Sequence, residues 1–290
     1  MMSEKLYEAV SEYEFSLIIQ LDVLVLRDGI EEFLMKRIDY LGALNWHRSE
    51  RVLNGGLSLR RNQAFRNILH HRAQYAKEWK GNEDRFYSVM GTLYPDEFHL
   101  AQRDLCMRFS YDAFPRAFYA RTHVIPLGVH AFCVFDPCFI NFLLCQTESE
   151  WADYPPFLTI CDAQKELLKN FQSFLEGEGK LFLYGAGGWG KIAQSYLKRK
   201  HVDVTAFLVS DTEARNNPEQ IAGVPVVAVS ESLGELQHVR ILFCINLRYG
   251  RQSVWEILPE RLKQMQVQVF PMNFMLYNFM GGAILEEIVK

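Results

Sequence analysis

Five short segments of this chain place polar or flexible residues where their surroundings are apolar. Gln20-Leu21-Asp22 closes an apolar run over residues 15–20. A carboxylate there suits a hard cation such as Mg2+ or Mn2+, which takes oxygen ligands from one or two protein carboxylates and from phosphate. Gln20 would orient those ligands or a water. The plainer alternative is an Asp that ends a strand and caps the next turn. Asn54-Gly55-Gly56 precedes an alternating run and either lets backbone approach a ligand without a Cβ or makes a hairpin turn. Asn82-Glu83-Asp84 sets two acids before an aromatic segment. One of them is a candidate general base toward a hydroxyl, unless the group only caps a helix. His130, inside Gly128-Val129-His130-Ala131-Phe132, is either a further Mn2+ ligand or a hydrogen-bonded core residue.

The fifth segment is Gly185-Ala-Gly187-Gly-Trp-Gly190, a G-x-G-x-x-G directly after an apolar run and opening a helical pattern. Its first glycine permits a tight turn and its second lets backbone meet a phosphate. Its third permits close helix packing, and the helix amino terminus favours an anion. Asp211, about 20 residues on, stands where an acid bonds a ribose hydroxyl. A nucleotide or NAD is the implied ligand; the competing reading is a loop used only for strand-to-helix packing.

The elements that must position these residues fall into two series. In the first, residues 15–20 form a buried strand whose end carries Gln20 and Asp22, as at the strand ends of open α/β sheets. A helix covers residues 30–37, residues 56–60 form a strand, and Asn62 is an N-cap for a helix with Phe65, Ile68 and Leu69 on one face. A composition shift at residues 147–156, with acids and a Pro-Pro pair, marks a linker. A helix follows, with Leu167, Leu168, Phe171 and Phe174 at helical spacing. The second series alternates: strands at 180–184, 202–209, 224–229, 238–245 and 267–270, and helices after the glycine loop and over 252–264. Such alternation implies a parallel sheet with helices on its faces. The boundaries are 1–148, a connecting segment 149–178, and 179–290. The Met- and aromatic-rich tail, residues 271–290, reads as core or interdomain seam, or as an oligomer interface.

Bulk properties narrow the classes. The chain has 290 residues, and 49% hydrophobic against 23% charged residues is ordinary for a globular protein of about two domains. A formal net charge of -4 leaves no basic footprint for nucleic acid. The Arg60-Arg61 doublet and the Lys198-Arg199-Lys200 run read as solvated helix faces. No secretory signal is apparent, and the apolar stretch 131–145, interrupted by Asp136-Pro137, is too short for a transmembrane helix. The six cysteines form no CxxC pair and read as buried thiols in a reducing compartment, which points to the cytoplasm.

The succession Gln20-Leu21-Asp22, then residues 38–46 (IDYLGALNW), then NGGLSLR, NEDRFY and GVHAF resembles a bacterial glycosyltransferase-like family of unknown function. That family carries Q-x-D, DYIGAPW, GNGG(F/L)SLR and ED motifs in this order. More distantly the segment is similar to the GT-A glycosyltransferases. The resemblance covers residues 7–135, and Leu44-Asn45 stands where the family has proline. It implies an α/β chain in which a partial GT-A-like catalytic domain precedes a Rossmann-like parallel-sheet domain. By the same resemblance, Asp22 would hold the metal and diphosphate, and Gln20 would replace the first Asp of D-x-D. Asn54, Gly55 and Gly56 would line the donor pocket. Asp84 or Glu83 would be the base, and His130 would complete the site for Mn2+ or Mg2+.

The implied reaction transfers a sugar from a nucleotide-sugar donor to a glycan or other hydroxyl acceptor, in surface polysaccharide or glycoconjugate synthesis. GT-A enzymes place a nucleotide-binding βαβ half before the D-x-D strand, whereas here only a short helix precedes it. A longer gene, a partner subunit or an inactive relative would each account for that difference. The segments around GAGGWG, FLVSD and IAGVPVV are similar to Rossmann-like modules attached to sugar-modifying enzymes and to the amino-terminal domains of sugar acyltransferases. Two alternatives remain: a non-catalytic nucleotide-sensing or assembly protein, and an NAD-dependent oxidoreductase centred on the glycine loop.

Overall fold

The computed structural model describes residues 2–34, 36–45, 52–232, 238–246, 256, 258–264 and 267–289. The chain divides into two units, Met1–Ile160 and Cys161–Ile288. The division falls inside a 22-residue helix, Pro155–Glu176. The Pro-Pro pair expected in a linker therefore occupies that helix's first turn, where proline's fixed φ and missing N–H cost little.

The first unit begins with α1 (Glu4–Ala9), β1 (Phe15–Ile19), β2 (Val23–Val25) and α2 (Glu31–Leu34). Next come β3 (Tyr40–Leu44), β4 (Leu53–Arg61), α3 (Asn62–His71), α4 (Ala73–Glu78) and α5 (Glu83–Leu93). It continues through α6 (Arg103–Phe109), β5 (Ser110–Tyr111), α7 (Pro115–Thr122), β6 (Gly128–His130) and α8 (Pro137–Gln146) to α9, the Pro155–Glu176 helix. Two three-stranded sheets result, in the orders β1-β4-β3 and β2-β6-β5. The first is antiparallel throughout. In the second, β2 runs antiparallel and β5 parallel to β6. The core under β4 is aromatic: Phe65 lies 4.3 Å from Tyr87 and 5.0 Å from Phe98 between ring centroids, and all three rings are fully buried.

Several sequence expectations change here. β1 is not a buried strand but an edge of its sheet, with Leu17 and Ile19 exposed. Asp22 consequently lies in the turn between β1 and β2, two strands with antiparallel partners, outside the rule for open parallel sheets. Asn54-Gly55-Gly56 lies within β4 and not before it. Asn62 does not cap α3: its side chain accepts from Ser16 Oγ at 2.7 Å and donates to the carbonyls of Val10 and Tyr13. Asn62 thus ties the α1–β1 connection to the helix. The Arg60-Arg61 doublet is on a strand, so its members diverge. Arg60 is fully buried, while Arg61 is partly exposed, pairs with Glu14 and Asp39 and stacks on Phe15. Three cysteines are buried, Cys133 and Cys138 are intermediate and Cys145 is exposed; all six are free thiols. Trp46, which ends the IDYLGALNW stretch, lies outside the described residues.

The second unit contains β7 (Lys180–Tyr184), α10 (Gly188–Arg199), β8 (Ala206–Val209), β9 (Gln220–Ile221), β10 (Val224–Ala228) and α11 (Val229–Ser232). β11 (Val239–Phe243), α12 (Glu260–Lys263), β12 (Val267–Pro271) and α13 (Phe274–Val289) complete it. Its sheet has the order β12-β11-β7-β8-β10-β9. All pairs are parallel except the edge hairpin β9–β10. The strand expected over 202–209 starts only at Ala206. Most of the helix expected over 252–264 lies outside the described residues. The Lys198-Arg199-Lys200 run is exposed at the end of α10, as expected of a solvated helix face. Tail helix α13 is core to this unit, burying Leu276 and Met280 completely and stacking Tyr277 on Trp189 at 4.8 Å. No described helix is long and apolar enough to cross a membrane.

Candidate functional site

The first cluster forms where the chain leaves one sheet for the other. The β1–β4 ladder extends one bond past Ile19, with Gln20 N donating to the Gly56 carbonyl at 2.9 Å. Three residues later, Val23 pairs with His130 in the β2–β6 register. Gln20 and Asp22 are thus delivered to His130 from opposite sides of one short turn. His130 Nε2 stands 3.2 Å from Gln20 Oε1 and 3.4 Å from Asp22 Oδ1. On the other side of the ring, Nδ1 stands 3.1 Å from Asp112 Oδ1. Asp22 is 44% exposed and His130 13%, so the cluster opens toward solvent through Asp22.

Glycines in β4 make room for this arrangement. The β3–β4 register jumps from Gly42↔Ser58 to Ala43↔Asn54, leaving residues 55–57 as a bulge on β4. Asn54 Oδ1 accepts from Gly56 N at 2.7 Å, and Ser58 Oγ donates to the Gly55 carbonyl at 3.0 Å, which holds the bulge in shape. A Cβ on Gly56 would stand 2.3 Å from His130 Cδ2. One on Gly55 would stand 2.9 Å from both Arg60 Nη2 and Glu83 Oε1. The glycine pair therefore admits the imidazole on one side and an ion pair on the other.

That ion pair was not expected. Arg60 donates to Glu83 Oε1 and Oε2 at 3.0 and 3.2 Å, to Tyr7 Oη at 3.0 Å and to Ser58 Oγ at 3.0 Å. Its guanidinium carbon lies 5.3–5.9 Å from the ring centroids of Phe65, Tyr40 and Tyr87. Burial works against its charge, but the surrounding phenols and Glu83 outweigh burial and raise its pKa. Glu83 is the first residue of α5, so the pair anchors the helix that carries Asp84. Of the two acids, Glu83 is committed to Arg60. Asp84 Oδ1 accepts from Arg85 N at 2.7 Å, and Asp84 also acts electrostatically on His130.

His130 has a raised pKa. Burial of the ring opposes protonation, but the hydrogen bond and charge of Asp112, with Asp22 and Asp84 beyond, more than offset it. A protonated ring would donate from both nitrogens, and a divalent cation at Nε2 would take the place of that proton. Asp22 Oδ1, Gln20 Oε1 and Nε2 are the oxygen and imidazole atoms that could face a divalent cation here, with phosphate oxygens completing its shell. If the imidazole ligated a cation through Nε2, Asp112 on Nδ1 would be the outer partner that fixes its tautomer. Among the described residues, no group of three or more His, Cys, Asp or Glu side chains is placed to hold a metal ion.

Asp112, Arg60 and Tyr7 are the members that the sequence did not announce. Asp112 carries one weak signal, an acid between the apolar residues Tyr111 and Ala113-Phe114. Arg60 and Tyr7 carry none, because their partnership spans 53 residues.

The second unit holds the glycine loop as a separate feature. Gly185 follows β7 with φ +109°, a conformation that needs glycine. A Cβ on Gly190 would stand 2.0 Å from the Gly185 carbonyl oxygen, so the third glycine closes helix α10 onto the strand. Gly187 and Gly188 face open space, with nothing within 4 Å of a Cβ on either. Asp211 Oδ1 accepts from Ser230 N at 3.1 Å, so one of its oxygens caps the start of α11.

Neither a curated protein nor a solved structure matches this chain. Residues 1–130 match a family described as "Protein of unknown function (DUF5672)", and the matched segment contains Gln20, Asp22, Gly55, Gly56, Asp84 and His130.

Proposed function

We propose that the first unit is the catalytic portion of a metal-dependent glycosyltransferase, moving a sugar from a nucleotide-sugar donor to a hydroxyl acceptor. The observation that carries this reading is the convergence of Gln20 and Asp22 on His130 Nε2, beside a glycine bulge and a helix start bearing Asp84. Asp22 and His130 would hold Mn2+ or Mg2+, whose charge would neutralise the leaving diphosphate. Gln20 orients the donor oxygens, and Asp112 keeps the His130 proton on Nδ1 so that Nε2 is free to ligate. The Gly55-Gly56 bulge gives the donor sugar close access to backbone. Asp84 accepts the acceptor hydroxyl's proton as the new glycosidic bond forms, and a single displacement inverts the anomeric centre. Arg60, by binding Glu83, fixes the start of α5 and so fixes Asp84.

The second unit is read as a Rossmann-like nucleotide-binding module with Gly185, Gly187, Gly190 and Asp211 at its site. Open space at Gly187 and Gly188 supports a phosphate there, since packing explains only the first and third glycines. This favours a nucleotide-sensing role for the second unit over simple scaffolding.

Calorimetric titration of the full chain with UDP, GDP and NAD+, with and without Mn2+, tests the principal reading. Binding of a nucleoside diphosphate that needs Mn2+ and vanishes in Asp22→Ala is the expected result. Metal-independent binding unaffected by Asp22→Ala would overturn it. Binding of NAD+ alone would move the activity to the second unit.

A further inference from the structure

The first unit contains a cavity of about 500 Å3 that the proposed reaction does not use. Its size is within the roughly 300–1,000 Å3 range of small-molecule sites. Apolar residues Ile38, Phe98, Leu100 and Leu105 line one part of it, and Lys36, Arg37, His99 and Gln102 line another. Among the described residues, no acidic side chain lines it. Asp84 and Gly91, which also lines the cavity, are seven residues apart on α5, or ~10 Å along the helix axis. The cavity is therefore a second locus, and its assignment does not rest on glycosyl transfer.

The wall is rigidly built. Buried Asp39 accepts from His99 N at 2.8 Å, and its Oδ2 lies 2.7 Å from His99 Nδ1. The His99 carbonyl accepts from Asp39 N at 2.8 Å, and Ala101 N donates to the Tyr40 carbonyl at 2.9 Å. Residues 99–101 are thereby stitched alongside the start of β3. Gly91 leaves no spare room, since a Cβ there would stand 2.4 Å from Leu100 Cγ.

The charge on this cavity is unbalanced. Lys36 and Arg37 form no ion pair among the described residues. Three carboxylates of the unit are engaged elsewhere: Glu32 by Arg27 and Arg108, Asp39 by Arg61 and His99, and Glu97 by Arg72 and His71. A preformed apolar wall beside two adjacent unpaired cations calls for a ligand of matching polarity.

We propose that this cavity binds a small organic anion, with an apolar body against Leu100 and Leu105 and a single anionic head at Lys36 and Arg37. The test uses 8-anilinonaphthalene-1-sulfonate as an amphiphilic anion and inorganic phosphate as an anion without an apolar body. Both are titrated calorimetrically into the full chain. The sulfonate should bind one site saturably, and the Lys36→Glu, Arg37→Glu double variant should weaken it at least about tenfold. Leu105→Trp, which fills the cavity, should abolish it, while Asp22→Ala should leave it unchanged. Melting temperature checks that each variant is folded. Inorganic phosphate should bind far more weakly than the sulfonate. Affinity unmoved by charge reversal in a folded variant would overturn the proposal. So would loss of binding in Asp22→Ala, or phosphate binding as tight as the sulfonate and indifferent to Leu105→Trp.

Discussion

Gly56 on β4 and Gly190 on α10 both exclude a side chain for steric reasons, but different atoms exclude it. At Gly56 the obstacle is the His130 ring, brought there by a strand 74 residues later in the chain. At Gly190 it is the backbone oxygen of Gly185, five residues earlier. The first glycine makes room for the His130 ring, and the second closes the fold. A side chain can rotate away, whereas a strand-to-helix backbone cannot. The two glycine-rich segments should therefore fail in different ways when perturbed: the first in ligand binding, the second in stability.

The largest expected effect tests whether the first segment also has a structural partner. Glu83→Ala leaves Arg60 buried without its carboxylate and should destabilise the protein by about 3 kcal/mol. Denaturant unfolding measures it, and a loss no greater than that of Asp84→Ala would break the assigned division between the two acids. Next, Gly190→Ala should cost about 2 kcal/mol through overpacking against backbone. Gly187→Ala, at a φ of -76° and facing open space, should change stability by less than about 0.5 kcal/mol. Equal losses at 187 and 190 would erase the distinction between closure and access in the second unit.

Gly56→Ala sharpens the contrast from the other side. It should weaken Mn2+ binding by about tenfold or more through displacement of His130, with less destabilisation than Gly190→Ala. A stability loss as large as that of Gly190→Ala with Mn2+ affinity intact would place Gly56 in the structural class instead.

The smallest effect concerns pH. Because His130's folded-state pKa is raised, its contribution to stability is complete below the ordinary imidazole value near ~6.5 and fades as pH rises through the folded value. Thermal melts of the metal-free protein and of His130→Gln should differ most at mildly acid pH and converge above it. A gap that widens with rising pH would contradict the charge environment described.

Much of this arrangement was legible from local pattern. Strand 180–184 emerges with the expected bounds, as does the glycine loop opening a helix, because both rest on short-range signals: an apolar run, a tight turn and helical spacing. Of the polar residues singled out in the first half, Gln20 and Asp22 meet His130, but the spacing pattern could not show why. Their meeting depends on a three-residue bulge in β4 and on one turn shared by two sheets. Arg60 illustrates the limit most clearly. In sequence it is half of a basic doublet, and on a helix that doublet would face solvent; on a strand, successive residues point to opposite faces. One arginine consequently goes to water and the other into an aromatic core.

Residue type and near-neighbour order on their own named the candidates for binding a metal, taking a proton or making room for a phosphate. They also determined where the second unit's strands and helices alternate. Only the tertiary structure decided that Asp112 contacts the His130 ring, that Glu83 is committed to Arg60, and that Lys36 and Arg37 line a cavity without an ion pair among the described residues. The physical reason is that charge pairing and steric exclusion depend on distance in space. Partners 18, 23 and 53 residues apart leave no periodic trace in the chain that joins them.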